Sequence, residues 1–422
     1  EDAWSEAMPP LEHYVRYESG DPHPSFRRRY FCAEDHARAF RKPLWPALVE
    51  AFGARPTATY AAPKAAFDRQ APFVVVQMTP DKPRNPYYRQ FASGFKAAGW
   101  DFRFSNDLVA MSGYAKQRRD LLFWFHQFEP FYHERDLPQT KARAKVLVET
   151  MQSMRASGAR LIHTWHNAKP YDSRFIDVDF ELYCQLDGLL DGIITHSESG
   201  VPWIRQFCST VPIHVLPHPS VHGEFHTAID RSVARRLLKI PQDRFVFLTF
   251  GEIRPYKNMP LMLDAWERLC GAGDTASSML LIAGKWRYAD QDRLRAMSLD
   301  DTIVIDRLLS DEELAMAVAA SDACVFTHEN VWMSGAVVTA MGFGKAMIIP
   351  DHTGLVEWLQ DGESGTVFIN GDVESLMNAM RRLRASKLRP HMEFINRSLV
   401  DSWHPHLLQP EYAAALKSSR KA

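Results

Sequence analysis

The chain is 422 residues long, 46% hydrophobic and 24% charged, with a formal net charge of −1. That length gives room for two ordinary domains with full cores, and the balance is that of a globular protein. A near-neutral chain carries no global basic field for nucleic acid, and it lacks the run of about 18 apolar residues that a spanning helix needs. Five cysteines (Cys32, Cys184, Cys208, Cys270 and Cys324) are scattered, odd in number and never spaced C-x-x-C. That pattern predicts reduced thiols in a cytosolic compartment rather than a disulfide framework or a zinc site. No secretory signal pattern is read at the start.

Residues 1–70 have a character of their own, rich in proline, aromatics and arginine, and are expected to form a mostly helical extension. Short helices are predicted at Glu34–Phe40 and Trp45–Phe52. The basic-aromatic stretch Pro24-Ser-Phe-Arg-Arg-Arg-Tyr-Phe31 has the chemistry to hold an anionic membrane surface. The simpler reading is an extension packed on the main body with its arginines solvated.

Regular alternation of strands and helices starts at Pro72. Apolar runs predict strands at Phe73–Met78, Asp101–Phe104, Leu121–His126, Arg160–Trp165, Gly192–His196 and Pro212–Leu216. Helices are predicted at Tyr88–Ala98 and Lys141–Ser157, with Ser197-Glu-Ser199 as a helix cap. A crossing between domains is placed at Val221–Asp243. A second series follows, with strands at Phe245–Phe250, Met279–Ala283, Thr302–Ile305, Ala323–Thr327 and Ala346–Ile349, and Thr366–Ile369 at an edge. Its helices include Asp311–Ala320 and Ala336–Met341. The fold class is therefore α/β, two tandem Rossmann-like domains. The boundaries are 71–225 and 226–402, with a C-terminal helix at 403–416 packing back on the first domain.

Neither sheet carries G-x-G-x-x-G after its first strand, so a nicotinamide or flavin reading loses its phosphate loop. Gly342-Phe-Gly-Lys345 is followed by Ala346 and is not a P-loop. His218, His222 and His226 stand four apart, but Pro219 and Gly223 interrupt a single helical face, so no metal is assigned. The stronger constellation follows the strand at Phe245–Phe250. Gly251 stops it, and Arg254 and Lys257 stand on the loop at its carboxyl end, where an α/β sheet binds anions. Glu329 follows the strand at Ala323–Thr327 and suits sugar hydroxyls. Ser334 and Gly335 open a helix whose free N–H groups suit a phosphate. Together these residues suit a nucleotide-diphosphate sugar. Taken singly, each has an ordinary reading as a solvated cation, a loop acid or a cap.

The second half resembles the donor domain of GT-B glycosyltransferases, of the large family-4 type that includes bacterial exopolysaccharide and lipopolysaccharide enzymes. The resemblance rests on Phe250-Gly-Glu-Ile-Arg-Pro-Tyr-Lys257, Leu280-Leu-Ile-Ala-Gly284, Leu309-Ser-Asp-Glu-Glu-Leu314, Ala320-Ser-Asp-Ala323, Thr339-Ala-Met-Gly-Phe-Gly-Lys345, and Gly354-Leu-Val-Glu357 with Asp361-Gly362 and Gly365. The first half agrees more loosely, through Asn85-Pro-Tyr87, Thr164-Trp-His-Asn167, His196-Ser-Glu198 and Pro217-His218. The resemblance implies that Arg254 and Lys257 bind the donor diphosphate. The family's pair of glutamates is not kept: the second position is Thr339 and the nearest upstream acid is Glu329. That leaves inversion or retention open and brings the chain near a mannosyltransferase subgroup.

The expectation is a metal-independent hexosyltransferase, mannose favoured, using GDP-mannose or a UDP-sugar and no cofactor. Its acceptor would be a glycan or lipid-linked oligosaccharide in bacterial polysaccharide assembly, held by Asn85, Tyr87 and Asn167 in the first domain, with the cleft closing between the domains. If the reaction inverts, a base is needed, and the candidates are His166, Glu129 and His126. The expected location is cytoplasmic, with peripheral attachment to the inner membrane through residues 1–70 as the second reading. The alternatives are an epimerase or phosphorylase on the same fold, or a non-catalytic binder of sugar nucleotides.

Overall fold

The computed structural model describes residues 28–31, 74–78 and 86–418, apart from short breaks at 106, 118–120, 171–172, 222–224, 226–228, 276, 289, 330 and 352. The chain forms two α/β units. Unit I takes residues 222–329 and 336–400 together with the N-terminal segment. Unit II takes residues 59–221, 330–335 and 401–422.

Unit II is a six-stranded parallel sheet in the order β3-β2-β4-β5-β6-β7. Its strands are β2 (Val74–Met78), β3 (Asp101–Ser105), β4 (Leu121–Phe125), β5 (Arg160–Trp165), β6 (Gly192–Thr195) and β7 (Ile213–Val215). Every residue of β4 is buried, because helices cover both faces of a parallel sheet. The crossovers are α1 (Pro86–Ala97), α2 (Leu108–Gln117), α3 (Glu129–Tyr132), α4 (Leu137–Ala156), α5 (Ile176–Leu186) and α6 (Val201–Arg205). Helix α4 starts earlier than the predicted Lys141, because Asp136 caps it by accepting from Gln139 N at 2.8 Å and a proline follows at the first turn. Gly158 ends it at φ +89°. The predicted cap at Ser197 does not form. Its hydroxyl bonds that of Ser199 at 2.7 Å, and a short 3₁₀ turn (Glu198–Gly200) intervenes before α6.

Unit I is a seven-stranded parallel sheet in the order β1-β10-β9-β8-β11-β12-β13. Its strands are β1 (Arg28–Phe31), β8 (Phe245–Phe250), β9 (Ser278–Ala283), β10 (Thr302–Ile305), β11 (Ala323–Val325), β12 (Ala346–Pro350) and β13 (Thr366–Phe368). Strand β1 is the described part of residues 1–70 and was not among the expected elements of that stretch. It pairs in parallel with β10, Arg28 opposite Thr302 and Phe31 opposite Ile305. Tyr and Phe favour a pleated surface, and β10 otherwise leaves an open edge of backbone donors and acceptors. The helices predicted at 34–40 and 45–52 lie outside the described residues.

The helices of this unit are α7 (Arg231–Leu237), α8 (Met259–Gly271), α9 (Asp290–Ser298), α10 (Asp311–Ala320), α11 (Gly335–Gly342), α12 (Thr353–Val356), α13 (Val373–Ala385) and α14 (Arg389–Ser402). Trp266 of α8, Phe247 of β8 and Met380 of α13 share its core. Under α7 lies a fully buried guanidinium. Arg235 donates to four carbonyls (Ala320, Pro241, Gln242 and Arg244) and to Asp322 Oδ2 at 2.6 Å.

The last helix, α15 (Pro405–Ser418), belongs to unit II. Its Tyr412 ring sits 4.7 Å from Phe91 of α1, and the Tyr412 hydroxyl donates to Pro217 O at 2.7 Å. Among the described residues no helix is long and apolar enough to cross a membrane.

Candidate functional site

In unit I the carboxyl end of β8 is built around two glycines. Gly251 has φ +87°, and a Cβ there would lie 2.9 Å from Lys257 Nζ. A Cβ on Gly284, at the end of β9, would lie 2.0 Å from Gly251 O, so no other residue fits. Beyond the glycines the two loops stay zipped: Ile253 N donates to Lys285 O at 2.8 Å and Arg287 N to Ile253 O at 3.0 Å. Pro255–Lys257 then makes one 3₁₀ turn, and Asn258, at φ 45°, caps α8.

The chain after β11 pins this turn. Thr327 Oγ1 donates to Lys257 O at 2.6 Å, Glu329 N to Tyr256 O at 2.6 Å, and Asn258 Nδ2 to Glu329 Oε1 at 2.7 Å. His328 is buried, stacked on Phe326 at 5.4 Å and tilted against Tyr256 at 5.5 Å. The predicted residues Gly251, Arg254, Lys257 and Glu329 therefore meet in one loop cluster. Lys257 is 4% exposed and its ammonium donates to Phe250 O at 2.5 Å. Burial brings its pKa down to about 7; Glu252 opposes that shift and Arg254 adds to it. Sequence reasoning did not single out Glu252, Asn258 or Arg287. Glu252 accepts from both Arg254 and Arg287. A contact between loops of two different strands has no local signature.

Ser334 is buried and Gly335 is the first residue of α11. Both belong to residues 330–335, which pack with unit II. The reason is Trp332. Its indole joins the unit II core and lies directly on Gly200, where a Cβ would come within 2.8 Å of the ring. The backbone N–H of Trp332 donates to Asn167 Oδ1 at 3.3 Å. Asn167, expected on the acceptor side, thus spends its carbonyl oxygen on the backbone. Asn85, His222 and His226 lie outside the described residues.

In unit II four histidines leave the ends of four neighbouring strands. Trp165 pairs with Thr195 and Thr195 with Val215, so His166, His196 and Leu216 emerge side by side. Tyr87 of α1 stands among them, with ring centres 5.3 Å from His126, 5.5 Å from His166, 6.0 Å from His196 and 4.8 Å from His218. His196 Nδ1 faces Leu216 O at 2.9 Å, and a carbonyl only accepts, so that nitrogen carries the proton. Nε2 then accepts from the Tyr87 hydroxyl at 3.2 Å. Trp124 Nε1 donates to Thr164 Oγ1 at 2.7 Å, and the Thr164 hydroxyl in turn bonds Tyr87. His218 Nδ1 is likewise protonated toward Pro219 O at 2.8 Å.

Burial keeps all these imidazoles neutral: His196 falls to about 3, His218 to about 4, and His126 and His166 well below the usual histidine value. The predicted His126 and His166 are bonded to each other, Nδ1 to Nε2 at 3.3 Å. His166 is the partly exposed member, and His126 is 2% exposed. Glu129 opens α3, and burial pushes its carboxyl up to about 7. Nearby, Asp179 is fully buried and accepts from Tyr132, Ser173 and His133.

Residues 244–386 match the family described as Glycosyl transferases group 1. Two parallel Rossmann-like sheets, with that match on the second, place the chain in the GT-B glycosyltransferase fold class. Among solved structures it is similar to sucrose-phosphate synthase from Thermosynechococcus elongatus, at TM-score 0.63 and 16% identity over 82% of this chain and 99% of that one. It is also similar to HepE from Anabaena in complex with UDP, at TM-score 0.62 and 13% identity over 82% of this chain and 100% of that one. Among curated proteins it is 24% identical to D-inositol 3-phosphate glycosyltransferase of Streptomyces bingchenggensis over 213 residues. That match covers 48% of this chain and spans about half, 47%, of the relative.

Proposed function

We propose that this chain is a glycosyltransferase that moves a hexose from a nucleoside-diphosphate sugar to a hydroxyl of a glycan or lipid-linked acceptor. The observation that carries the reading is the pinned loop at 254–258, with Arg254 and a buried Lys257 beside glycine backbone. Departure of a nucleoside diphosphate develops negative charge, and fixed cations in a partly desolvated site stabilise it. A lysine poised near neutrality gains its proton as the diphosphate approaches, because an adjacent anion favours the charged form. Two protein cations can carry that charge, so the proposal includes no divalent metal and no cofactor. The similar HepE structures are complexes with UDP and with UDP-glucose, which supports testing UDP-hexoses ahead of GDP-mannose.

For an inverting course, His166 is the acceptor-side base. It is the partly exposed member of the imidazole cluster, while His126 backs it and is itself sealed. Glu129 is the competing base, with a carboxyl that titrates near pH 7. The discriminating experiment measures nucleoside diphosphate released from UDP- and GDP-hexoses, with and without glycan acceptors and with EDTA. Arg254→Ala and Lys257→Ala should each lower turnover by on the order of a hundredfold, as when other pre-organised charge stabilisers are removed. The proposal fails if neither nucleotide series binds at millimolar concentration.

A further inference from the structure

The carboxylate of Glu252 is shared by two guanidiniums from different loops. One oxygen accepts from Arg254 Nε at 3.0 Å and Nη2 at 2.7 Å. The other accepts from Arg287 Nε at 3.1 Å and Nη2 at 2.5 Å. Arg254 follows β8 and Arg287 follows β9, and the bridge between Ile253 and Trp286 locks the two loops in register. The spacing of the two arginines is thus set by backbone rather than by side-chain chance. Lys257 lies within electrostatic reach of both Glu252 and Arg254. Two guanidiniums share one carboxylate at the ends of adjacent central strands, with a buried lysine in electrostatic reach of it, where an anion is expected. Arginine forks suit phosphate oxygens because two N–H groups reach them at once.

We propose that Arg287 is a second guanidinium for the donor's diphosphate, and that Glu252 holds Arg254 and Arg287 in place for it. This rests on the donor site described above. An ordinary surface ion pair would explain one arginine on Glu252. It would not explain two arginines from separate strands held on its two oxygens beside a buried lysine. The Arg287 side chain is 45% exposed, against 28% for Arg254. Arg287 is therefore free to exchange the carboxylate for a ligand oxygen without refolding its loop.

The test is calorimetric titration of the full chain with UDP and GDP, with UMP, GMP and inorganic pyrophosphate alongside. Arg287→Gln should weaken the diphosphates and pyrophosphate by on the order of tenfold and the monophosphates by much less, with an unchanged melting temperature. Arg287→Lys should recover part of the loss, since it keeps the charge but not the fork. Glu252→Ala, which keeps both arginines but removes the carboxylate that anchors them, should also weaken pyrophosphate, and unchanged or tighter binding in it overturns the positioning role of Glu252. Unchanged diphosphate affinity in Arg287→Gln overturns the inference and leaves the donor site standing. An equal loss for mono- and diphosphates overturns it too, because that pattern marks a structural role. No binding of any nucleotide by the parent chain overturns the donor reading itself, and this inference with it.

Discussion

Lys257→Met should make unit I more stable while it abolishes diphosphate binding. Lys257 is 4% exposed, and burial moves its pKa from 10.5 to about 7. At about 1.36 kcal/mol per pKa unit, keeping the buried ammonium at neutral pH costs the fold roughly 4–5 kcal/mol relative to the unfolded chain. Methionine has similar reach and no charge. It gives up the bond to Phe250 O, worth about 1 kcal/mol net, and its fit is imperfect, so the expected gain is about 2 kcal/mol. That corresponds to a rise of roughly 4–8 °C in the melting temperature of a domain this size.

The sign with pH follows from the depressed pKa. Below pH 7 both folded and unfolded chains carry the proton, so the cost is complete. Between pH 7 and 10.5 the unfolded chain binds more protons than the folded one, and the cost fades as pH rises. Thermal and urea melts of parent and variant at pH 6.5, 7.5 and 9 should show the advantage of methionine shrinking with pH. A less stable variant, or an advantage that does not change between pH 7 and 10, refutes the reasoning. In either case Lys257 would be a structural cation rather than one kept for a ligand at the expense of stability.

Arg235→Met should destabilise unit I by about 2–3 kcal/mol, because it strands four carbonyls and leaves Asp322 with Arg231 and Val246 N alone; an unchanged urea midpoint would count against this. Gly200→Ala should cost about 1–3 kcal/mol, since the new Cβ meets three indole carbons of Trp332 at 2.8–2.9 Å; its signature is a change in tryptophan emission, and a silent spectrum rejects the packing argument. Acidification should weaken unit II. His163, His196 and His218 are held neutral down to about 3, 3 and 4, so below pH 6.5 the unfolded chain takes up protons that the fold refuses. Each should remove about 2 kcal/mol between pH 7.5 and 5, and a flat melting temperature over that range would contradict the neutral cluster.

Much of the fold was legible because buried parallel strands read as short apolar runs. Leu121–Phe125 and Met279–Ala283 are examples that the structure buries throughout. Helices α2 and α5 were not read, since α2 (Leu-Val-Ala-Met-Ser-Gly-Tyr-Ala-Lys-Gln) and α5 mix apolar and polar residues without a clean stripe. Strand β1 was missed for a different reason: four residues gain strand character only from the edge they join. In the candidate donor site, Arg254 and Lys257 were visible as cations on one loop, and the structure adds their partners. Glu252 was in plain view beside them, but its role depends on Arg287, 35 residues further on, which only the register of β8 and β9 brings back.

The two candidate sites handle titratable groups in opposite ways, and this bears on what each is built to meet. Unit I sets Arg254, Arg287 and a buried lysine, the last at the edge of losing its proton, around Glu252 and beside Glu329, an arrangement that the proposed reading completes with an anion. Unit II gathers imidazoles and a tyrosine, fixes the tautomers of His196 and His218 through backbone carbonyls, and keeps the imidazoles uncharged. A neutral array of donors and acceptors discriminates hydroxyl geometry rather than charge, because each unpaired polar atom left behind by a wrong ligand carries the full penalty of its desolvation. Anions and neutral polyols make these two different demands, and under the proposed reaction the two sheets would divide them, in each case with side chains that leave the carboxyl ends of parallel strands.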